Sequence, residues 1–249
     1  MAILEATQLA KGFDGKQVLV DVSLEVPSGA VTVVIGPSGA GKTTLLRCLS
    51  LLDSPDSGRI VFREAEVWPC LSGGNTQQRE FRRRVGLVFQ HLNLWPHLTV
   101  CENVSLPLRL AGSLSREEAA DRGIEWLKRV QIEGLGKRYP SEISGGERQR
   151  AAIARAMALE PEVLCLDEIT SALDPENVSL IRDVINRVVD QGVAVLLVTH
   201  HIGFARAVAN EIVFLDRGAV SASGSVHDVL DTTANTRVRE FIDRIECRI

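Results

Sequence analysis

The densest chemistry in the sequence lies in Gly36-Pro37-Ser38-Gly39-Ala40-Gly41-Lys42-Thr43-Thr44. These residues follow the apolar run Val31–Ile35 and lead into Leu45-Leu46-Arg47-Cys48-Leu49, which has a helical pattern. The glycines let the backbone curl and come close to an anion. Successive N–H groups then form a nest, and the start of a helix adds positive potential. This is the strand–loop–helix pattern of a phosphate-binding loop. In such a loop Lys42 bridges β- and γ-phosphates, and the Thr43 hydroxyl holds Mg²⁺.

A second constellation lies further on. Val163-Leu164-Cys165-Leu166 reads as a buried strand ending in Asp167-Glu168. A carboxylate at the C-terminal end of a strand can hold Mg²⁺ through water beside a phosphate loop. Glu168 then faces the γ-phosphate, where it can accept a proton from attacking water.

The elements that must position these groups alternate along the chain. Residues 3–35 read as short strands broken by turns at 12–16 and 27–29. Asp53–Gly58 stops the helix after the phosphate loop, and Arg59–Phe62 is a further strand. Pro69–Gln78 is polar and reads as turns. From His91 to about Tyr139 the pattern is helical, with capping boxes at Thr99/Glu102 and Ser115/Glu118. Ser144-Gly145-Gly146-Glu147 opens an Ala-rich helix that Pro161 stops. Asp174-Pro175-Glu176 starts a helix whose Val178, Ile181, Ile185 and Val188 follow helical spacing. The run 193–198 is a strand ending at Thr199-His200, followed by a helix at 202–209, a strand at 212–215 and closing helices at 225–230 and 236–245. Such alternation predicts an α/β fold with a mostly parallel sheet. The expected organisation is a discontinuous core, 1–90 and 153–249, interrupted by a helical subdomain at 91–152.

The bulk properties narrow the class. The 249 residues are 45% hydrophobic and 24% charged, with net charge −4. That balance gives no basic face for a nucleic acid. Arg82-Arg83-Arg84 reads as a solvated helix face. Five scattered cysteines without a C-x-x-C pair fit a reduced chain. No apolar run nears the ~18 residues of a membrane span. The N-terminus has no signal-peptide pattern, so a membrane role is expected to come through a partner.

With these residues in order, the chain resembles an ABC transporter ATP-binding subunit over nearly its whole length. Ser144-Gly145-Gly146-Glu147-Arg148-Gln149-Arg150 resembles the ABC signature, and Asp167–Asp174 resembles the Walker B motif plus D-loop. Gln90 matches the Q-loop glutamine, His200 the switch histidine and Phe13 the A-loop aromatic. The resemblance implies a P-loop NTPase core with an N-terminal antiparallel β region and an inserted helical subdomain. It implies ATP and Mg²⁺ as ligands. Phe13 offers a flat face to adenine. Gln90 ligates Mg²⁺ or its water through an uncharged carbonyl oxygen, and His200 donates to the γ-phosphate. His201 is the bland neighbour. It also implies a head-to-tail dimer, in which each ATP lies between the phosphate loop of one subunit and Ser144-Gly145-Gly146-Glu147 of the other, with Asp174 aligning the seam.

Gln90–Val104 and Thr199–Ala209 are similar to the matching segments of polar amino-acid importer ATPases. The implied partners are a second ATPase subunit, membrane permease subunits and, indirectly, an extracytoplasmic binding protein. The implied location is the cytoplasmic membrane face, with no nucleic-acid partner. ATPases of lipoprotein-release or cell-division complexes share the signature. A soluble ABC protein acting on nucleic acid or ribosomes is a third class, often with two ATPase domains or long arms. Ile143 and Glu147 replace the commoner Leu and Gln, and Ile169 replaces a Pro, which is expected to loosen the D-loop. Leu71-Ser72-Gly73-Gly74-Asn75 spells the signature a second time and reads as a surface loop.

Overall fold

The structure, a computed structural model, describes residues 1–69, 74–111, 114–170 and 173–246. Its strands are β1 (Ala2–Phe13), β2 (Lys16–Pro27), β3 (Val31–Ile35), β4 (Ser57–Phe62), β5 (Ala65–Trp68), β6 (Val85–Val88), β7 (Val163–Asp167), β8 (Ala194–Val198), β9 (Glu211–Asp216) and β10 (Ala219–Ser225). Its helices are α1 (Lys42–Leu49), α2 (Gly74–Arg84), α3 (Val100–Leu110), α4 (Arg116–Arg129), α5 (Gly145–Met157), α6 (Pro175–Asp190), α7 (Ile202–Val208) and α8 (Thr236–Glu246).

The strands form two sheets. One is antiparallel, in the order β2-β1-β4-β5; the other runs β10-β9-β3-β8-β7-β6. In the second sheet every pairing from β9 to β6 is parallel, and only β10 returns antiparallel. The phosphate loop leaves the end of β3, a central strand, and Asp167 ends β7. Their pairing partner β8 lies between them, so Asp167 and His200 emerge at the same sheet edge as the loop. Ligands in open α/β sheets bind outside these carboxyl ends.

Period-two alternation divides the core. Val31, Val33, Ile35, Leu164, Leu166, Val195 and Leu197 face one side, against α3 to α8. Val34, Val163, Cys165, Leu196 and Val198 face the other, where α1 is enclosed by the antiparallel sheet. Each of these strands is therefore buried on both faces, which explains runs such as Val31–Ile35 with no polar alternation. A fully buried Leu, Val or Ile contributes about 1.5–3 kcal/mol here. Burial also pushes the Cys48 and Cys165 thiols up to about 12, so both behave as core side chains.

Several sequence expectations need correction. The N-terminal strands are longer than expected: β1 and β2 are 12 residues each and carry bulges, while the expected turns at 12–16 and 27–29 fall where they end. Residues 74–78, read as turns, belong to α2. That helix carries a single large apolar anchor, Phe81, packed edge-on against Phe62 at 5.2 Å, so periodicity was silent. The helical pattern assigned from His91 begins at Val100; residues 90–99 are turns and irregular backbone. β5, β6 and β10 had not been expected at all. Ser72 and Gly73 of the second Ser-Gly-Gly lie outside the described residues.

The loop between β6 and α3 is held from within. Asn103, fully buried, accepts from the Trp95 N–H at 2.7 Å and donates to the carbonyls of Trp95, Leu98 and Thr99 at 3.0–3.1 Å. Asn103→Ala is expected to cost about 2–3 kcal/mol, because it orphans buried backbone groups. Urea unfolding checks this, with the midpoint falling and the slope unchanged.

Candidate active site

Helix α1 begins without a side-chain cap. Gly41 precedes it at φ 100°, no side chain bonds the first turn, and that turn holds no acidic residue. By contrast α3, α4 and α5 each carry a complete capping box, and Asp174 caps α6. The first-turn N–H groups of α1 are therefore open to an outside acceptor, which is what an anion needs. Ser38, Gly39 and Thr43 are exposed beside them, while Gly36, Ala40 and Gly41 are buried. Pro37 and Thr44 are half-buried.

Two glycines are fixed by close approach. A Cβ on Gly36 (φ 150°) would overlap the Leu215 carbonyl oxygen, and one on Gly41 would come within 2.9 Å of the Val18 oxygen. Lys42 is buried and folds back, donating through Nζ to the carbonyls of Gly36 and Pro37 at 2.8 and 3.1 Å. Burial pushes its ammonium below the usual lysine range, opposed by the charges of Glu168 and Asp167. The loop thus holds a cation aimed across its own mouth.

Thr43 donates through Oγ1 to Asp167 Oδ1 at 3.2 Å. Burial raises the Asp167 carboxyl above its ordinary value, with the Thr43 hydrogen bond opposing. A hydroxyl and a buried carboxylate in contact form an all-oxygen donor pair, the kind Mg²⁺ takes. Glu168 follows in the left-handed region (φ 49°), a conformation that costs a non-glycine residue about 1–2 kcal/mol. Its N–H is held by the Val198 carbonyl at 2.9 Å. Oε1 of Glu168 lies 3.4 Å from Nδ1 of His200. Both line a cavity of ≈ 370 Å³ together with Gly36, Pro37 and Ser38.

The far wall of that cavity is α8, through Arg237, Glu240, Phe241 and Arg244. Sequence reading had made α8 only a closing helix. Its packing signal was present in Phe241, whose ring meets Phe214 at 5.3 Å.

The other expected site residues do not line that cavity. Phe13 is 46% exposed at the end of β1, with Lys11 Nζ 5.2 Å from its ring centroid. Its hairpin partner β2 is tied to the phosphate loop through the β9–β10 turn: the Val20 N–H donates to the Gly218 carbonyl, and the Gly218 N–H donates to the Ala40 carbonyl. Gln90 is exposed just after β6. Ser144, Gly145, Gly146 and Glu147 open α5, and no hydrogen bond among the described residues joins them to the phosphate loop. The Ser144 hydroxyl accepts from the Glu147 N–H at 3.3 Å, and the Glu147 carboxylate accepts from the Ser144 N–H at 2.7 Å. That backbone bond, with the serine hydroxyl, holds the Glu147 carboxyl below the usual range. Ser144 and Gly145 are exposed and face outward from this chain's own loop. Ile169, where the family commonly has Pro, is buried in the core at 1% exposure.

Residues 19–171 match the sequence profile of the ABC transporter family. The chain belongs to that family. This ABC ATPase is 37% identical over 238 residues to the glutamine transport ATP-binding protein GlnQ of Geobacillus stearothermophilus, covering 96% of this chain and 97% of that protein. It is 40% identical over 247 residues to the arginine/ornithine transport ATP-binding protein AotP of Pseudomonas aeruginosa, covering 96% and 97%. Among solved structures it is similar to the dimeric post-hydrolysis state of an ATP-binding cassette bound to ADP and Pi. That match has a TM-score of 0.80 at 32% identity and covers 90% of this chain and 99% of the other. The ABC chain is thus an ATP-binding, ATP-hydrolysing subunit with the P-loop NTPase fold. No helix among its described residues is long and apolar enough to cross a membrane.

The buried Asp167 carboxylate makes a measurable cost. Its folded proton affinity exceeds the unfolded one, so its contribution to stability is present below the ordinary value of 3.8 and lost as pH rises through the folded value. Once ionised, it subtracts from metal-free stability. Asp167→Asn is therefore expected to raise the metal-free Tm at pH 7, by about 2–4 °C if ~1 kcal/mol is recovered in a chain of this size. The gain should shrink as pH falls toward about 4. Calorimetry at both pH values checks it, and a lowered Tm at pH 7 would mean the Thr43 contact outweighs burial.

Proposed function

We propose that this chain is the ATPase subunit of a membrane importer for polar amino acids, working as a head-to-tail pair of identical copies on the cytoplasmic face of its permease. The observation that carries the ATPase site is the uncapped start of α1 beside the Thr43–Asp167 contact. Relatives named for glutamine and for arginine/ornithine transport, similar along nearly the whole chain, support the substrate class. Within this reading residues 1–90 and 153–249 form the nucleotide core, and 91–152 form the helical subdomain that meets the permease. Helix α5 runs unbroken across residue 152, so the two parts share one rod.

The residues divide the work as follows. Backbone N–H groups among Ser38–Thr44 hold the phosphates, and Phe13 stacks on adenine. Lys42 exchanges its loop carbonyls for phosphate oxygens. Thr43, Asp167 and Gln90 would hold Mg²⁺. When bound, Mg²⁺ offsets the charge that develops on the transferred phosphoryl group. Glu168 accepts the proton of the attacking water at Oε1 or Oε2, and His200 donates to the γ-phosphate. The second copy supplies Ser144, Gly145, Gly146 and Glu147. The Ser144 oxygen accepts from within its own helix, which leaves its proton to donate across the seam. Glu147 keeps that hydroxyl oriented and its own charge turned back onto the Ser144 N–H. Asp174 aligns the two halves. Positioning and electrostatics supply most of the rate.

Glu168→Gln is expected to bind MgATP, to lose turnover by on the order of 10²–10⁴-fold, and to accumulate as a dimer seen by size exclusion. Turnover near wild type would remove Glu168 from this role. Ser144→Ala is expected to lower turnover by roughly 10-fold or more, the loss of one hydrogen bond to a charged group. The transport reading is tested by co-purification and vesicle reconstitution. ATP-dependent uptake of glutamine or arginine with the associated permease is the expected result. Nucleic acid or ribosomes recovered without a membrane protein would overturn it.

A further inference from the structure

Behind the outward face of Ser144 and Gly145 lies a buried cation with a single side-chain hydrogen-bond partner among the described residues. Arg150, one turn into α5, is 6% exposed. Its Nη1 donates to Asn177 Oδ1 at 3.2 Å, and its Nε is buried without a partner. Burial pushes the guanidinium below its usual range, with the Glu147 charge opposing. Asn177 belongs to α6, and its other end serves Asp174. Asn177 Nδ2 donates to Asp174 Oδ2 at 2.7 Å, while the Asn177 N–H donates to Asp174 Oδ1 at 2.9 Å. The same amide presses on α5 from the side: a Cβ on Gly146 would overlap Asn177 Oδ1. One side chain therefore touches the signature helix at Gly146 and Arg150, and the cap of α6 at Asp174.

The chemistry of this bridge is selective. Its two neighbours are a guanidinium, which only donates, and a carboxylate, which only accepts. A primary amide can accept from the first and donate to the second. Aspartate at 177 would keep the first contact and repel Asp174. Leucine or alanine would keep neither and would strand the buried guanidinium.

We infer that Asn177 is a positioning residue that fixes the signature end of α5 to the Asp174 end of α6, so that both are presented to the second copy as one surface. This rests on the head-to-tail reading above. Asn177 touches no part of the phosphate loop and holds no ligand itself. Its effect falls on closure of the pair and leaves nucleotide capture by one copy intact.

The experiment uses the full chain in the Glu168→Gln background, with ATP-driven dimerisation followed by analytical ultracentrifugation. MgATP binding is measured separately with a fluorescent ATP analogue at protein concentrations where the chain is monomeric. Asn177→Ala is expected to weaken dimerisation by roughly 10-fold, within the range that a residue coupling two elements supplies, with nucleotide Kd unchanged within about twofold. In the wild-type background kcat should fall while KM for ATP holds. Asn177→Asp preserves shape and the Arg150 acceptor, so it reports even if the alanine variant is poorly folded; it should weaken dimerisation as well. If the Glu168→Gln parent dimerises and both Asn177 variants match it, the inference is overturned. It is equally overturned if nucleotide affinity falls in step with dimerisation. If the parent itself does not dimerise with ATP, the head-to-tail reading fails, and the inference with it.

Discussion

The structure depends on a place where three backbones meet with no room for side chains. The start of the phosphate loop lies against the Leu215 carbonyl at the end of β9, and its last glycine lies against the Val18 carbonyl of β2. Gly218, in the β9–β10 turn, also has its Cβ position filled by Val18 oxygen, and it exchanges hydrogen bonds with Ala40 and Val20. A loop that must offer its N–H groups outward cannot use them to hold itself in shape. Beyond the Ala40 N–H to Pro37 bond and the Lys42 contacts with the Gly36 and Pro37 carbonyls, its shape comes from the β9–β10 turn and from β2. The antiparallel sheet thus serves the phosphate loop as well as covering α1.

Electrostatics follow from that geometry. A loop of open N–H groups and a buried lysine face two adjacent carboxylates, Asp167 and Glu168, at the edge of the same sheet. In the free chain these groups satisfy one another incompletely: Lys42 turns to loop carbonyls, and Asp167 accepts from Thr43. The left-handed backbone at Glu168 belongs to the same pattern, in which local cost is carried by a rigid frame of doubly buried strands. Helices whose ends need no ligand are sealed instead. The capping boxes of α3 and α4 close those ends within the chain, and their sequences announce it.

Legibility followed the physics of each signal. Thr99/Glu102 and Ser115/Glu118 were readable because a capping box needs two residues at fixed spacing. The phosphate loop and the strand ending in Asp167-Glu168 stood out through residue type and spacing, whereas Gln90, Ser144 and His200 stood out only through the resemblance to a family. β6 was missed because four residues, one of them Gly86, give no period, and β10 because Ala219–Ser225 is mostly small and polar. Alternation over Val18–Val26 made the body of β2 legible, whereas bulges interrupt the pattern of β1. The bridge through Asn177 could not be read at all: an asparagine after a proline start looks like helix surface, and only the packing of α5 on α6 shows what it joins. The α8 wall of the cavity was equally silent, since Arg237 and Arg244 have no local reason to face a site far back in the sequence.

Helix α5 has one further consequence. Arg155 donates from its guanidinium to the carbonyls of Leu92 and Asn93, each at 2.6 Å, and lies 5.1 Å from the Trp95 ring centroid. Ser144 stands at the other end of the same rod, about 16 Å away at 1.5 Å per residue. A helix sealed at its start and packed along its length transmits displacement with little loss. One continuous helix therefore ties the irregular chain after Gln90 to Ser144, and in the importer reading it would serve as a connecting rod between the two.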